Sequence, residues 1–244
     1  MKNCITIDVE DWFHNMFLNN VISISDWDKQ PTVAEKGLDK ILNILSKNQT
    51  TATFFILGWM AERYPGICEK IVAGGHDIAT HGYYHKLVYE QTPEEFEREL
   101  SNSIDIIKKY NLEYDSSIYP TTGLVLCGMP KVPRIPFNII ENFIEIPLSI
   151  YKAKVIDFPV SGGFYLRSYP FCIYKSLVKR VNKVGIPVVI YIHPWEFCDE
   201  FPRKIRNTLW QWTQIYNIHS MEGKLDNLLS EFEFGSIEKS LLVR

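Results

Sequence analysis

The chain has no Cys-x-x-Cys pair, no block of basic residues, no low-complexity tract and no apolar run long enough to span a bilayer. Each absence excludes something. The five cysteines (Cys4, Cys68, Cys127, Cys172 and Cys198) are scattered, which argues for free thiols in a reducing compartment and against a disulfide framework or zinc knuckle. With 26 basic against 29 acidic side chains the net charge is −3, so no general attraction to nucleic acid or anionic lipid is expected. Met1-Lys2-Asn3 leads straight into a strand pattern and lacks a signal peptide's apolar core, so the expected location is the cytoplasm. No repeat or linker divides the 244 residues, and one domain over 1–244 is expected.

What is present reads as alternating strands and helices. Cys4 to Val9 is a short apolar run ending in acids, suited to a buried strand. Thr32-Val33-Ala34-Glu35 has capping-box spacing, and Leu38, Ile41, Leu42 and Leu45 mark a helical face after it. Ala52 to Leu57 predicts a strand buried on both faces. Met60, Tyr64, Ile67 and Ile71 follow at helical spacing, split by Pro65 and ended by Gly74-Gly75. His76 to Thr80 predicts a third strand; Thr92-Pro93-Glu94-Glu95 opens a helix with a stripe of Phe96, Leu100, Ile104 and Ile107. From Tyr110 to about Gly163 prolines break the chain into short extended pieces such as Phe143–Ile146 and Val155–Phe158. A helix from about Pro170 to Val184, a strong strand from Pro187 to His193 and a last helix capped by Ser220 complete the pattern. The order favours a parallel sheet covered by helices, an α/β fold.

The chemistry lies at strand ends. His81 and His85, four apart, reach one divalent metal if their loop takes a helical turn. In Asp8-Val9-Glu10-Asp11, Asp8 and Glu10 share a strand face; Asp8 is the candidate base, and Glu10 or Asp11 the third ligand. The other use of such acids is to cap a following helical turn, and both readings hold for different members of the cluster. His193, held by the strand before it, is followed by Pro194-Trp195-Glu196, where a tryptophan suits sugar stacking. In a parallel barrel all these positions share one rim. They make the parts of a metal-dependent hydrolase.

With DVEDWFH, ATFFILGWMAERYP, GGHDIATHGYYH, YDSSIYP, SGGFYLRSYP and YIHPWE in view, the chain resembles the polysaccharide deacetylase family of NodB-homology domains, nearest its exopolysaccharide and capsule branch. The resemblance implies a distorted (β/α) barrel that removes acetyl groups from carbohydrate with zinc or a similar ion. It places the base on Asp8, the metal on Glu10 (or Asp11), His81 and His85, and the general acid on His193. Relatives carry a β-α unit with an Arg-x-Pro motif between the helix near Tyr110 and Tyr114-Asp115-Ser116-Ser117, and here that unit is missing. Arg167 is offered in place of its arginine, and Trp195, Leu166 and Tyr83-Tyr84 as the lining of the sugar groove. Two alternatives stand beside deacetylation: a catalytically silent relative that binds glycan or a partner, and an amidohydrolase for a small amide or acylated sugar.

Overall fold

The computed structural model describes residues 1–15, 18, 21–107, 113–121, 128–154, 156–200 and 209–242, without the side chains of 209 and 210. The strands are β1 (Asn3–Val9), β2 (Thr53–Ile56), β3 (Asp77–Thr80), β4 (Tyr114–Asp115), β5 (Phe137–Ile140), β6 (Phe143–Glu145), β7 (Ile150–Lys152), β8 (Asp157–Pro159), β9 (Val189–Ile192) and β10 (Phe234–Gly235). The helices are α1 (Ala34–Lys47), α2 (Gly58–Arg63), α3 (Gly66–Ala73), α4 (Pro93–Ile107), α5 (Gly163–Ser168), α6 (Phe171–Lys183), α7 (Leu209–Ile215), α8 (Met221–Glu231) and α9 (Ile237–Leu241).

The centre is a parallel sheet built on β1. It pairs with β9 from Cys4↔Val189 to Ile7↔Ile192 and with β2 from Thr6↔Thr53 to Val9↔Ile56. β10 takes the first two residues of β1, and β3 lies beyond β2. Strand parity then sorts every side chain. Ile5, Ile7, Val9, Phe54, Ile56, Ile190 and Ile192 join the helix-side core, where α1 contributes Leu38, Ile41 and Leu45. Cys4, Phe55, Ala79 and Val189 face the other way and pack with Ile146 and Ile237 in the interior. Asp8 has the parity of Cys4, and His193 that of Val189, so both face the interior's mouth. Gly37 lets α1 close on the 194–197 turn, because a Cβ there would meet the Pro194 carbonyl oxygen at 1.8 Å.

The fold is an α/β distorted barrel of NodB type, built on that parallel sheet. Ile107 is the last described residue of α4, and β4 begins at Tyr114. Among the described residues β3 pairs with β2 alone. Residues 108–112, where the shortened connection was read from sequence, lie outside the described residues. The wall continues as the β4-β6-β5 sheet and the β7-β8 hairpin.

Three local expectations are corrected. Thr32 does not cap α1; Val33 N and Ala34 N donate to Asp11 Oδ2 at 2.9 and 3.2 Å, and the Thr32 hydroxyl donates to the same oxygen. A carboxylate from the sheet thus replaces a local cap. The buried side of α4 is Glu99, Ser103 and Ile107, with Phe96 exposed. Ser103 bonds Thr80 and the Gly82 carbonyl, and Glu99 pairs with Lys86, so this helix docks through polar groups. Ser220 directs its hydroxyl to the Asn217 carbonyl at 2.8 Å instead of capping α8. Among the described residues no helix is long and apolar enough to cross a membrane.

Candidate metal centre and catalytic site

Three parallel strands deliver the site. Val9, Ile56 and Thr80 are in register across β1, β2 and β3, so Glu10 and His81 emerge at one rim. His81 N still donates to the Ile56 carbonyl at 3.0 Å, anchoring the start of its loop. The loop is not the helical turn expected. Gly82 has φ +73° and His85 φ +54°, and the Gly82 and Tyr83 carbonyls accept from Gly58 N and Trp59 N at the start of α2. A histidine in the left-handed region costs about 1–3 kcal/mol, and such strain collects at functional sites. The loop turns the two rings together, with centroids 5.0 Å apart.

Glu10, His81 and His85 each present a ligand atom within 4.8 Å of the others. Glu10 Oε2 is 3.4 Å from His85 Nε2, buried and otherwise without a hydrogen bond. Glu10 Oε1 accepts from Trp195 Nε1 at 3.4 Å. Burial, together with the charges of His85, His193 and His14, lowers the His81 pKa well below the ordinary imidazole value, keeping the ring neutral as a ligand must be. Two imidazoles and a carboxylate with an orphan buried oxygen fit a zinc-like ion. Asp11 is elsewhere: its carboxylate accepts from Trp12 N, Thr32, Val33 and Ala34, the capping reading of this acid.

The pairing Ile7↔Ile192 places Asp8 level with His193. His193 Nε2 lies 4.0 Å from Asp8 Oδ2 and 3.6 Å from Glu10 Oε1. Burial raises the Asp8 pKa to about 7 against the opposing charge of His193, with Glu10 and Glu196 adding to the rise. Burial alone would lower His193, but the hydrogen bond and charge of Glu196, then Glu10 and Asp8, outweigh it and raise it to about 9.

Behind His193 stands a buried relay the sequence reading missed. Glu196 Oε2 accepts from His193 N at 3.0 Å and lies 3.1 Å from Nδ1, while Glu196 Oε1 accepts from Arg167 Nε at 3.2 Å. Gly163 makes room, since a Cβ would lie 1.8 Å from Glu196 Oε2. The His-x-x-Glu spacing was the available signal. Arg167 therefore does not take the place of a base-orienting arginine. It is 0% exposed, points to Glu196 and donates from Nη1 and Nη2 to the Thr213, Gln214 and Tyr216 carbonyls. Trp195 and Leu166 are also interior, with Trp195 stacked on His193 at 5.2 Å, so neither lines an open sugar groove. Tyr83 and Tyr84, between His81 and His85 in the chain, are half-buried.

A family model described as polysaccharide deacetylase matches residues 21–123, and one described as a domain of unknown function (DUF3473) matches 116–242. Peptidoglycan-N-acetylglucosamine deacetylase of Bacillus cereus is 31% identical over 87 residues, 36% of this chain and 32% of that protein. Chitooligosaccharide deacetylase of Rhizobium leguminosarum is 31% identical over 68 residues, 28% of this chain and 32% of the relative. The matches thus span about a third of the length of these curated relatives. In fold the chain is similar to a Mycobacterium smegmatis protein proposed to be a polysaccharide deacetylase, with TM-score 0.61 and 15% identity over 98% of this chain and 88% of the other. It is also similar to a peptidoglycan N-acetylglucosamine deacetylase, with TM-score 0.55 and 16% identity over 100% and 89%. Residues 21–123 belong to the polysaccharide deacetylase family of NodB-homology type, and residues 116–242 carry the DUF3473 sequence.

Proposed function

We propose that this chain is a metal-dependent carbohydrate deacetylase of surface-polysaccharide metabolism, its residues 1–244 acting as one unit. The observation that carries the proposal is the meeting of Glu10, His81 and His85 beside Asp8 and His193. Glu10, His81 and His85 would hold a divalent ion, zinc by donor chemistry. When bound, such an ion polarises an acyl carbonyl and lowers the pKa of a water. Asp8, poised near neutrality, takes the proton of the attacking water as the C–O bond forms. His193, charged at neutral pH and oriented by Glu196, gives its Nε2 proton to the leaving sugar nitrogen or oxygen as the acyl bond breaks. Acetate and the free amine or hydroxyl are the products. The four described free cysteines support the cytoplasmic location expected from sequence.

The test is acetate release from N-acetylated chitooligosaccharides and from an O-acetylated glycan with added zinc or cobalt. Turnover that disappears in Asp8→Asn supports the proposal. A second reading, a glycan-binding relative without turnover, is favoured by one feature: among the described residues the cation placed against Asp8 is His193, and the family's arginine unit is missing. Glycan binding without acetate release would select it.

A further inference from the structure

The relay that runs from His193 through Glu196 to Arg167 reaches the surface beside a pair of exposed rings. Trp212 in α7 and Tyr216 just past its end stand one helical turn apart, with Tyr216 N donating to the Trp212 carbonyl at 3.1 Å. Their ring centroids are 4.6 Å apart and their planes meet at 44°. Aromatic rings in contact usually share a dry interior, yet these two are 45% and 38% exposed. With Ile215, Asn217 and His219 they line an open hollow of about 450 Å³. Single exposed apolar side chains are ordinary, whereas two touching rings beside a hollow make a formed surface.

The hollow is held against the catalytic rim. Asn217 takes the left-handed region at φ +55°, and its Nδ2 donates to the Arg167 carbonyl at 2.6 Å. The Tyr216 carbonyl accepts from Arg167 Nη1 at 2.8 Å, so one guanidinium and one carboxylate separate it from the His193 ring. On α7 itself Gln214 Oε1 accepts from Asn15 Nδ2 at 2.9 Å. Asn15 ends the turn after β1, a few residues beyond Glu10.

The lining selects a ligand class. Indole and phenol rings offer flat faces to the C–H side of a sugar ring, and their N–H and O–H groups can meet its hydroxyls. Asn217 and His219 add an amide and an imidazole, which bond hydroxyl and acetamido groups. Among the described residues no lysine or arginine lines the hollow, so an anion finds no fixed countercharge there. Two rings are also too little for a protein partner, because a stable interface takes about 800 Å² from each side.

We propose that this hollow is a remote subsite for the carbohydrate chain. One sugar residue stacks on Trp212 and Tyr216 while another residue of the same chain lies at the metal centre. The inference deepens the deacetylase reading and rests on its carbohydrate substrate, but not on metal or turnover.

The test is a titration of the nitrogen-labelled full chain with chitohexaose, a chelator keeping the protein free of metal. The Trp212 indole signal is identified by its absence from Trp212→Phe. That signal is expected to shift saturably in the wild type. Calorimetry should show affinity about tenfold weaker in Trp212→Ala and largely kept in Trp212→Phe, whose ring still stacks. An unmoved indole, or wild-type affinity in Trp212→Ala, would overturn the subsite. Acetate release by the zinc-loaded wild type is measured alongside. Release without an indole shift overturns the subsite alone, and a shift without release overturns deacetylation alone. A dimer that dissociates in Trp212→Ala, seen by sedimentation, with an unmoved indole would give the hollow to a second copy and overturn the subsite.

Discussion

Arg167 donates through Nε to Glu196 at 3.2 Å in a part of the molecule that solvent does not reach. The pair closes a line from the α7 carbonyls to His193, and removing one member strands the other's charge in the interior. Arg167→Met is therefore expected to lower stability by about 3–5 kcal/mol, read from urea unfolding. A loss below about 1 kcal/mol, the range of exposed pairs, would contradict this reading of the relay.

Glu196 is also what keeps His193 charged. Glu196→Gln preserves shape but removes the carboxylate, so burial regains the upper hand over the ring. The His193 pKa is expected to fall from about 9 by about 1–3 units, followed by NMR titration of metal-free protein. A value still near 9 would assign the rise to Glu10 and Asp8.

Glu10 and Asp11 are neighbours with different work. Asp11→Ala removes the acceptor for Val33 N and Ala34 N and should cost about 1–3 kcal/mol of stability while leaving zinc uptake intact. Glu10→Gln should do the reverse, abolishing uptake with little change in unfolding. Calorimetry and denaturation on both variants check the division.

Glu145 gives a pH dependence remote from the site. It is buried on β6, with Oε1 accepting from Ile118 N at 2.9 Å and Oε2 without a partner. Burial, with Asp115 nearby, raises its pKa from 4.5 to about 7. Between those values the folded state holds a proton that the unfolded chain releases, so this group's contribution falls as pH rises through the window. Glu145→Gln should remove the fall and be the more stable protein at pH 8, by on the order of 2 kcal/mol. Parallel urea curves at pH 4.5 and 8 test the sign.

Much of this was legible in the chain because short buried strands carry their parity in the sequence. Once Cys4 to Val9 and Pro187 to His193 are strands, the facing of Asp8, Glu10 and His193 follows. Helices split by Pro65 and opened by Thr92-Pro93 follow from local chemistry as well. What escaped depends on contacts between distant segments. Asp11 caps a helix that starts 23 residues later, and nothing in Thr32–Glu35 announces it. Arg167 reads as a stand-in for the missing arginine until Glu196 and the Thr213, Gln214 and Tyr216 carbonyls are seen around it. Trp195 follows a strand end, as a rim residue would, yet packs inward on His193. α9 is a single turn whose place is fixed by Ile237 N donating to Thr53 across the sheet.

Crystals soaked with zinc and measured on either side of its absorption edge put the metal centre to its most direct trial. One anomalous peak bounded by Glu10 Oε2 and the His81 and His85 rings, with Asp8 and His193 at its rim, is the expected result. No peak there, or a peak elsewhere while those three side chains keep the positions described, would contradict it.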